Sequence, residues 1–188
     1  GYSDEWVVEA ERRGLPNIKS MVDAVPTLTT PKAIALFEKF HIFTKAELES
    51  REEILYETYS KTINIEALTM LHMAKKQIIP AVIAYTTELA TSISSVKDAC
   101  PVADTSVQEG MLIEISSLLA EMQKAVVTLE KAQEEAFAIL DPKDNAVAYK
   151  DEVVPAMDAV RAPADKLEML VDKDMWPIPT YGDLMFEV

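Results

Sequence analysis

The chain has little glycine, cysteine or histidine: of its 188 residues, 4 are glycine, 1 is cysteine and 2 are histidine. Four scattered glycines cannot build the loop that cradles a phosphate against a helix N-terminus, and no such spacing occurs. The lone Cys100 excludes an internal disulfide and agrees with a reducing compartment, so the expected location is cytoplasmic. It also leaves zinc without a thiolate set. His41 and His72 fall on different elements, and Thr69 stands where a Glu-x-x-His metal pair would need an acid. No Gly-x-Ser-x-Gly elbow is present. No apolar run approaches membrane-spanning length, and no signal peptide is visible. Basic patches are also missing. A net charge of −14 repels phosphate backbones and anionic lipid, so neither nucleic acid nor a membrane surface is an expected partner.

What is present favours helix. The chain is 49% hydrophobic and rich in Ala, Glu, Leu and Met, enough to bury a real core without sheet. The dominant stretch runs from Thr44 to Cys100, with no glycine and one internal proline, Pro80. Thr44-Lys45-Ala46-Glu47 reads as a capping box. Leu48, Ile54, Leu55, Tyr59, Ile63, Ala67, Met70, Leu71, Ala74, Ile78, Ala81, Tyr85, Leu89 and Val96 follow at helical spacing. Such a helix is roughly 80 Å long and needs partners to cover its stripe. Because the pattern stays in phase beyond Pro80, a kink is expected there rather than a stop.

Ahead of it lie short helices: Asp4 to Arg13 with Ser3 as N-cap and Gly14 as stop, a capped turn at Ser20-Met21-Val22-Asp23, and a third opening at Thr30-Pro31. Behind it, Ser106-Val107-Gln108-Glu109 reads as a second capping box, opening a helix to about Leu140 with a stripe from Leu112 to Phe137. Asp141-Pro142-Lys143-Asp144-Asn145 reads as a turn, and a third long helix is expected from about Ala146 to Met175, bent by Pro155 and Pro163. Trp176-Pro177-Ile178-Pro179-Thr180-Tyr181 cannot continue a helix. The expected fold is all-α: an elongated up-down-up bundle of three long helices, residues 44–176. A short-helix arm, residues 1–43, precedes it, and an extended, proline-rich, apolar tail, residues 177–188, follows.

Candidate chemical residues read mostly as structural. Glu52/Glu53 and Glu134/Glu135 have the pattern of a solvated helix face. Asn64, Gln77 and Gln108 lie near the stripe and read as buried hydrogen-bonding partners, or as contacts for a small ligand. Trp176, Tyr181, Leu184, Met185 and Phe186 are too apolar for a free tail; they fold back on the chain's own helices or dock on a neighbour. No catalytic, cofactor-binding or metal-ligating residue is assigned.

An ordered series of stretches carries a resemblance: Gly1-Tyr-Ser-Asp-Glu-Trp-Val-Val-Glu-Ala-Glu-Arg-Arg-Gly-Leu-Pro-Asn17, Phe43-Thr-Lys-Ala-Glu-Leu-Glu-Ser-Arg51, Thr62-Ile-Asn-Ile-Glu-Ala67, Ala74-Lys-Lys-Gln-Ile-Ile-Pro-Ala81, and Leu167 to Phe186 around Trp-Pro-Ile-Pro-Thr-Tyr. Together they resemble the C-terminal region of type III glutamine synthetases, the large bacterial form. The resemblance implies a piece of a longer enzyme that makes glutamine from glutamate, ammonia and ATP with Mg or Mn, through a γ-glutamyl phosphate. It implies a homo-dodecamer of two stacked hexameric rings. The metal, ATP and glutamate ligands would sit on a preceding β-rich catalytic domain, none of whose motifs occurs here. The expected role is therefore non-catalytic, structural or in assembly. The expected partners are the chain's own catalytic domain and neighbouring subunits. The alternative is a regulatory module that binds a metabolite or a partner.

Overall fold

The structure, a computed structural model, describes residues 3–186. Gly1 and Tyr2 of the first quoted stretch, and Glu187 and Val188 of the expected tail, lie outside the described residues. Among the described residues all regular structure is helical, with no strand. They form two compact units, one of residues Gly1–Thr62 and Ile139–Lys150, the other of Ile63–Ala138 and Asp151–Val188.

In the first unit, α1 (Asp4–Arg12) carries Asp4 and Glu5 in its first turn, where the helix dipole favours acids. Ser3 occupies the N-cap position without making a side-chain cap bond. The helix ends in a Schellman motif: Gly14, at φ +71°, donates to Glu11 O, and Leu15 donates to Ala10 O. Ser20 caps α2 (Met21–Ala24) by accepting from Val22 N at 3.1 Å. A 3-10 turn (Val25–Thr29) leads to α3 (Pro31–Lys39), which Thr30 caps from Ala33 N. A second Schellman pair closes α3, with His41 in the left-handed region at φ +52° where glycine is usual. The core here is Val22, Val25, Tyr56 and Ala146, with Leu55, Tyr59 and Val147 packed against it. Leu36, Phe40 and Ile42 are 54%, 60% and 55% exposed.

The long pattern forms as α4 (Lys45–Met73), a π turn (Ala74–Ile78) and α5 (Ile79–Ala99). The capping box is present: Glu47 Oε2 accepts from Thr44 N at 2.7 Å, and Thr44 Oγ1 accepts from Glu47 N at 3.3 Å. The helix does not stop at Pro80. Ile79 donates to Ala74 O, five residues back, so the backbone widens just before the ring that would clash with the carbonyl four residues earlier. The same device precedes Pro155, where α7 (Pro142–Ala148) passes through a π turn (Tyr149–Val153) into α8 (Val154–Glu168). Pro163 lies buried inside α8 without such a turn.

In the second unit, α6 (Ser106–Phe137) packs against α5 and α8. Its buried residues are Ile115, Leu118, Met122, Val126, Leu129, Gln133 and Ala136, steps of three and four that make one seam. The α6 helix runs antiparallel to the α4–α5 path: Lys97 pairs with Glu109, Lys75 with Glu130, and Asn64 with Gln133.

Several expectations are corrected. Ile54 and Phe137 are exposed, and Val82 and Gln133 take the buried places in their stripes. No capping box forms on Ser106, because that residue is already helical: Asp104 Oδ1 accepts from Ser106 N at 2.9 Å, and Thr105 is the N-cap. The presumed turn at Asp141 is a helix start. Asp141 Oδ1 accepts from Lys143 N and Asp144 N, and Pro142 sits at the first helical position. The third long pattern ends at Glu168 rather than Met175. The tail expected to be extended over 177–188 contains α9 (Tyr181–Phe186). Thr180 and Asp183 form its reciprocal cap, Asp183 Oδ2 accepting from Thr180 N at 2.9 Å and Thr180 Oγ1 from Asp183 N at 3.1 Å.

Candidate functional site: an apolar cleft in the second unit

The second unit carries, among other concave surfaces, a cleft of about 500 Å³. Its floor is Ala74 and Ile78 from the π turn, Met122 from α6 and Val160 from α8, all buried. Met70, Met73 and Met157 form walls with Ile178, and Ile178 belongs to the segment between α8 and α9. Methionine side chains are unbranched and polarisable, so such walls adapt to the shape they meet.

One edge of the cleft is a polar cluster. Arg161 Nη2 donates to Tyr181 Oη at 2.6 Å, and Arg161 Nε faces Asp165 Oδ2 at 3.3 Å. Tyr181 Oη donates to Asp165 Oδ1 at 3.2 Å, and Tyr181 N donates to Glu168 Oε1 at 3.0 Å. The Tyr181 contact, with Asp165 behind it, holds the Arg161 guanidinium above its ordinary value. Asp183 is held below the usual carboxylate range, first by Lys173 at 2.7 Å and then by the Thr180 amide. Glu66 and Thr69 complete the lining from α4. These bonds strap residues 178–183 over the C-terminal half of α8. Trp176 anchors the strap: it is buried, and its Nε1 has no hydrogen-bond acceptor.

The residues singled out from sequence fall elsewhere. His41 lies in the turn after α3 and His72 near the end of α4, both exposed. Among the described residues no group of three or more His, Cys, Asp or Glu could hold a metal ion. Glu53, Glu134 and Glu135 are exposed, while Glu52, half-buried, accepts weakly from Tyr56 Oη at 3.4 Å. Asn64 Oδ1 accepts from Gln133 Nε2 at 2.8 Å, a buried-partner role. Gln77 and Gln108 are half-buried. The tail divides: Trp176 and Ile178 fold back, whereas Leu184, Met185 and Phe186 are 70–78% exposed. Sequence reading missed the cleft. The signals that could have found it are Met70 and Met73 on one face of the long helix, and Arg161 and Asp165 one turn apart.

Fold and cleft together define a class: an all-helical domain with an apolar groove. Residues 1–97 match the glutamine synthetase C-terminal domain, and the chain belongs to that family. It is 37% identical over 188 residues to a glutamine synthetase of Butyrivibrio fibrisolvens, covering all of this chain and 27% of that protein. A type-3 glutamine synthetase of Dictyostelium discoideum is 31% identical over 193 residues, covering 99% of this chain and 26% of that protein. A glutamine synthetase of Bacteroides fragilis (strain YCH46) is 30% identical over 190 residues, with 99% and 26% covered. The chain thus spans about a quarter of the length of the curated relatives it matches. No helix among the described residues is long and apolar enough to cross a membrane.

Proposed function

We propose that this chain is the non-catalytic, architectural part of a type III glutamine synthetase, an enzyme joining glutamate and ammonia at the expense of ATP with Mg or Mn bound elsewhere in the polypeptide. Its partners are its own catalytic domain and neighbouring subunits of a cytoplasmic homo-dodecamer. In this reading residues 1–43 lead out of the catalytic domain, residues 44–176 form the up-down-up bundle, and the tail that follows reaches a neighbour. The observation that carries it is the set of large apolar side chains left facing water: Leu36, Phe40 and Ile42 around the end of α3, and Leu184, Met185 and Phe186 on α9. The experiment is a triple substitution, Leu184→Asp/Met185→Asp/Phe186→Asp, in a synthetase polypeptide that carries this chain, read by sedimentation and glutamine formation. Loss of assembly with the helical circular dichroism intact supports the reading; unchanged assembly and activity overturn it.

A second reading, a regulatory module that binds a small molecule, is favoured by the methionine-walled cleft. Its experiment is thermal denaturation with glutamine, glutamate, 2-oxoglutarate and nucleotides, since anything that binds the native state raises Tm by mass action. A flat panel up to millimolar ligand counts against it.

A further inference from the structure

We infer that the cleft of the second unit is a binding site for a small amphiphile with a linear apolar body and a cationic, hydrogen-bond-donating head. The inference rests on the small-molecule reading above and makes its ligand class specific. Three observations carry it. At about 500 Å³ the cleft lies within the range of roughly 300–1,000 Å³ typical of small-ligand sites. Its floor is built partly from a π turn, a departure from α geometry found often at functional sites, and its walls are adaptable methionines.

The third observation is charge. The charged groups lining the cleft are Glu66, Asp165 and Arg161. Arg161 already serves Asp165 and Tyr181, which leaves the rim acidic. Glu168, one turn beyond Asp165 and bonded to Tyr181 N, adds a further carboxylate nearby. An anionic head would meet the Glu66 and Asp165 carboxylates and one committed guanidinium. An ammonium head finds acceptors at Glu66 and Asp165 while its chain lies along Met70, Met73, Met122 and Met157.

The probe is n-octylammonium, titrated into methyl-13C-methionine-labelled protein, both as the 188-residue chain and as a synthetase polypeptide that carries it. The expected result is saturable shifts of Met70, Met73, Met122 and Met157 in both, with Met21 and Met111 still. Octanoate should bind at least about tenfold more weakly, and Asp165→Asn should weaken the ammonium by about tenfold, the cost of one charge-assisted contact. Ala164→Trp, which fills the cleft, should abolish the shifts. Absence of saturable shifts, equal binding of octanoate, or silence of the four methionines in the longer polypeptide would each overturn the inference. A Tm rise with glutamate or a nucleotide, without an ammonium response, also overturns it while leaving the small-molecule reading intact.

Discussion

Breaking the Asn64–Gln133 hydrogen bond tests the packing of the second unit more sharply than any core truncation. Gln133 is 9% exposed and lies in the seam of α6, one turn from Leu129 and one turn before Ala136; its Nε2 donates to Asn64 Oδ1 at 2.8 Å. Replacing Gln133 by methionine keeps the shape and removes the donor, so the half-buried Asn64 loses this bond. The loss should cost about 1 kcal/mol, the net worth of an ordinary hydrogen bond. In a chain of this size each kcal/mol lowers Tm by about 2–4 °C. Asn64→Leu should cost at least as much, because the Gln133 amide is then orphaned. The double variant Asn64→Leu/Gln133→Met should be less destabilised than the sum of its parts by about 1 kcal/mol or more, since the pair is removed together. The cycle cancels whatever else either side chain does. The assay is urea unfolding followed by Trp176 fluorescence in a Trp6→Phe background, reading the midpoint with the slope unchanged. Strict additivity of the two single costs would refute the claim that these residues meet as a hydrogen-bonded pair.

Other outcomes follow from local geometry. Gly14→Ala should destabilise α1 by about 1 kcal/mol through backbone strain alone, because φ is +71° and nothing lies within 4 Å of the added Cβ; His41→Gly, at φ +52°, should stabilise by a few tenths to about 1 kcal/mol, both measurable as shifts in thermal midpoint. Burial first, and then Glu52, push the Tyr56 phenol up to about 12. Its folded value lies above the unfolded value of about 10, so the stability it contributes is intact below pH about 10 and declines as pH rises toward 12. Tyr56→Phe should flatten that part of a stability-against-pH curve, and an unchanged slope would refute the assignment. Thr180→Ala with Asp183→Asn should fray α9 and release Tyr181 from the cleft, seen as faster amide exchange over residues 181–186 with the α6 amides unaffected.

The helices themselves were largely legible in the sequence because their signals are local. Thr44 to Glu47, Ser20, Thr30-Pro31 and Gly14 act through backbone groups within a few residues, so composition and spacing are enough to place them. The buried seam of α6 followed from period 3.6 almost to its end. Errors arose where two local readings competed. Asp141-Pro142 serves a turn or a helix start equally well, and Ser106 lost the N-cap to Thr105 because Asp104 already satisfied its amide. Thr180 and Asp183 made a cap in a proline-rich stretch that reads as extended.

What the sequence by itself determined is the all-helical class, most helix boundaries, the acidic surface and the membership in its family; each depends on residues near in the chain or on their order. Only the tertiary structure decided which apolar side chains remain in water, how the backbone passes Pro80 and Pro155, and that Met70, Met122, Met157 and Tyr181 share one cleft. Those outcomes depend on how much of each helix a neighbour covers, and that coverage joins residues dozens of positions apart that no local period relates.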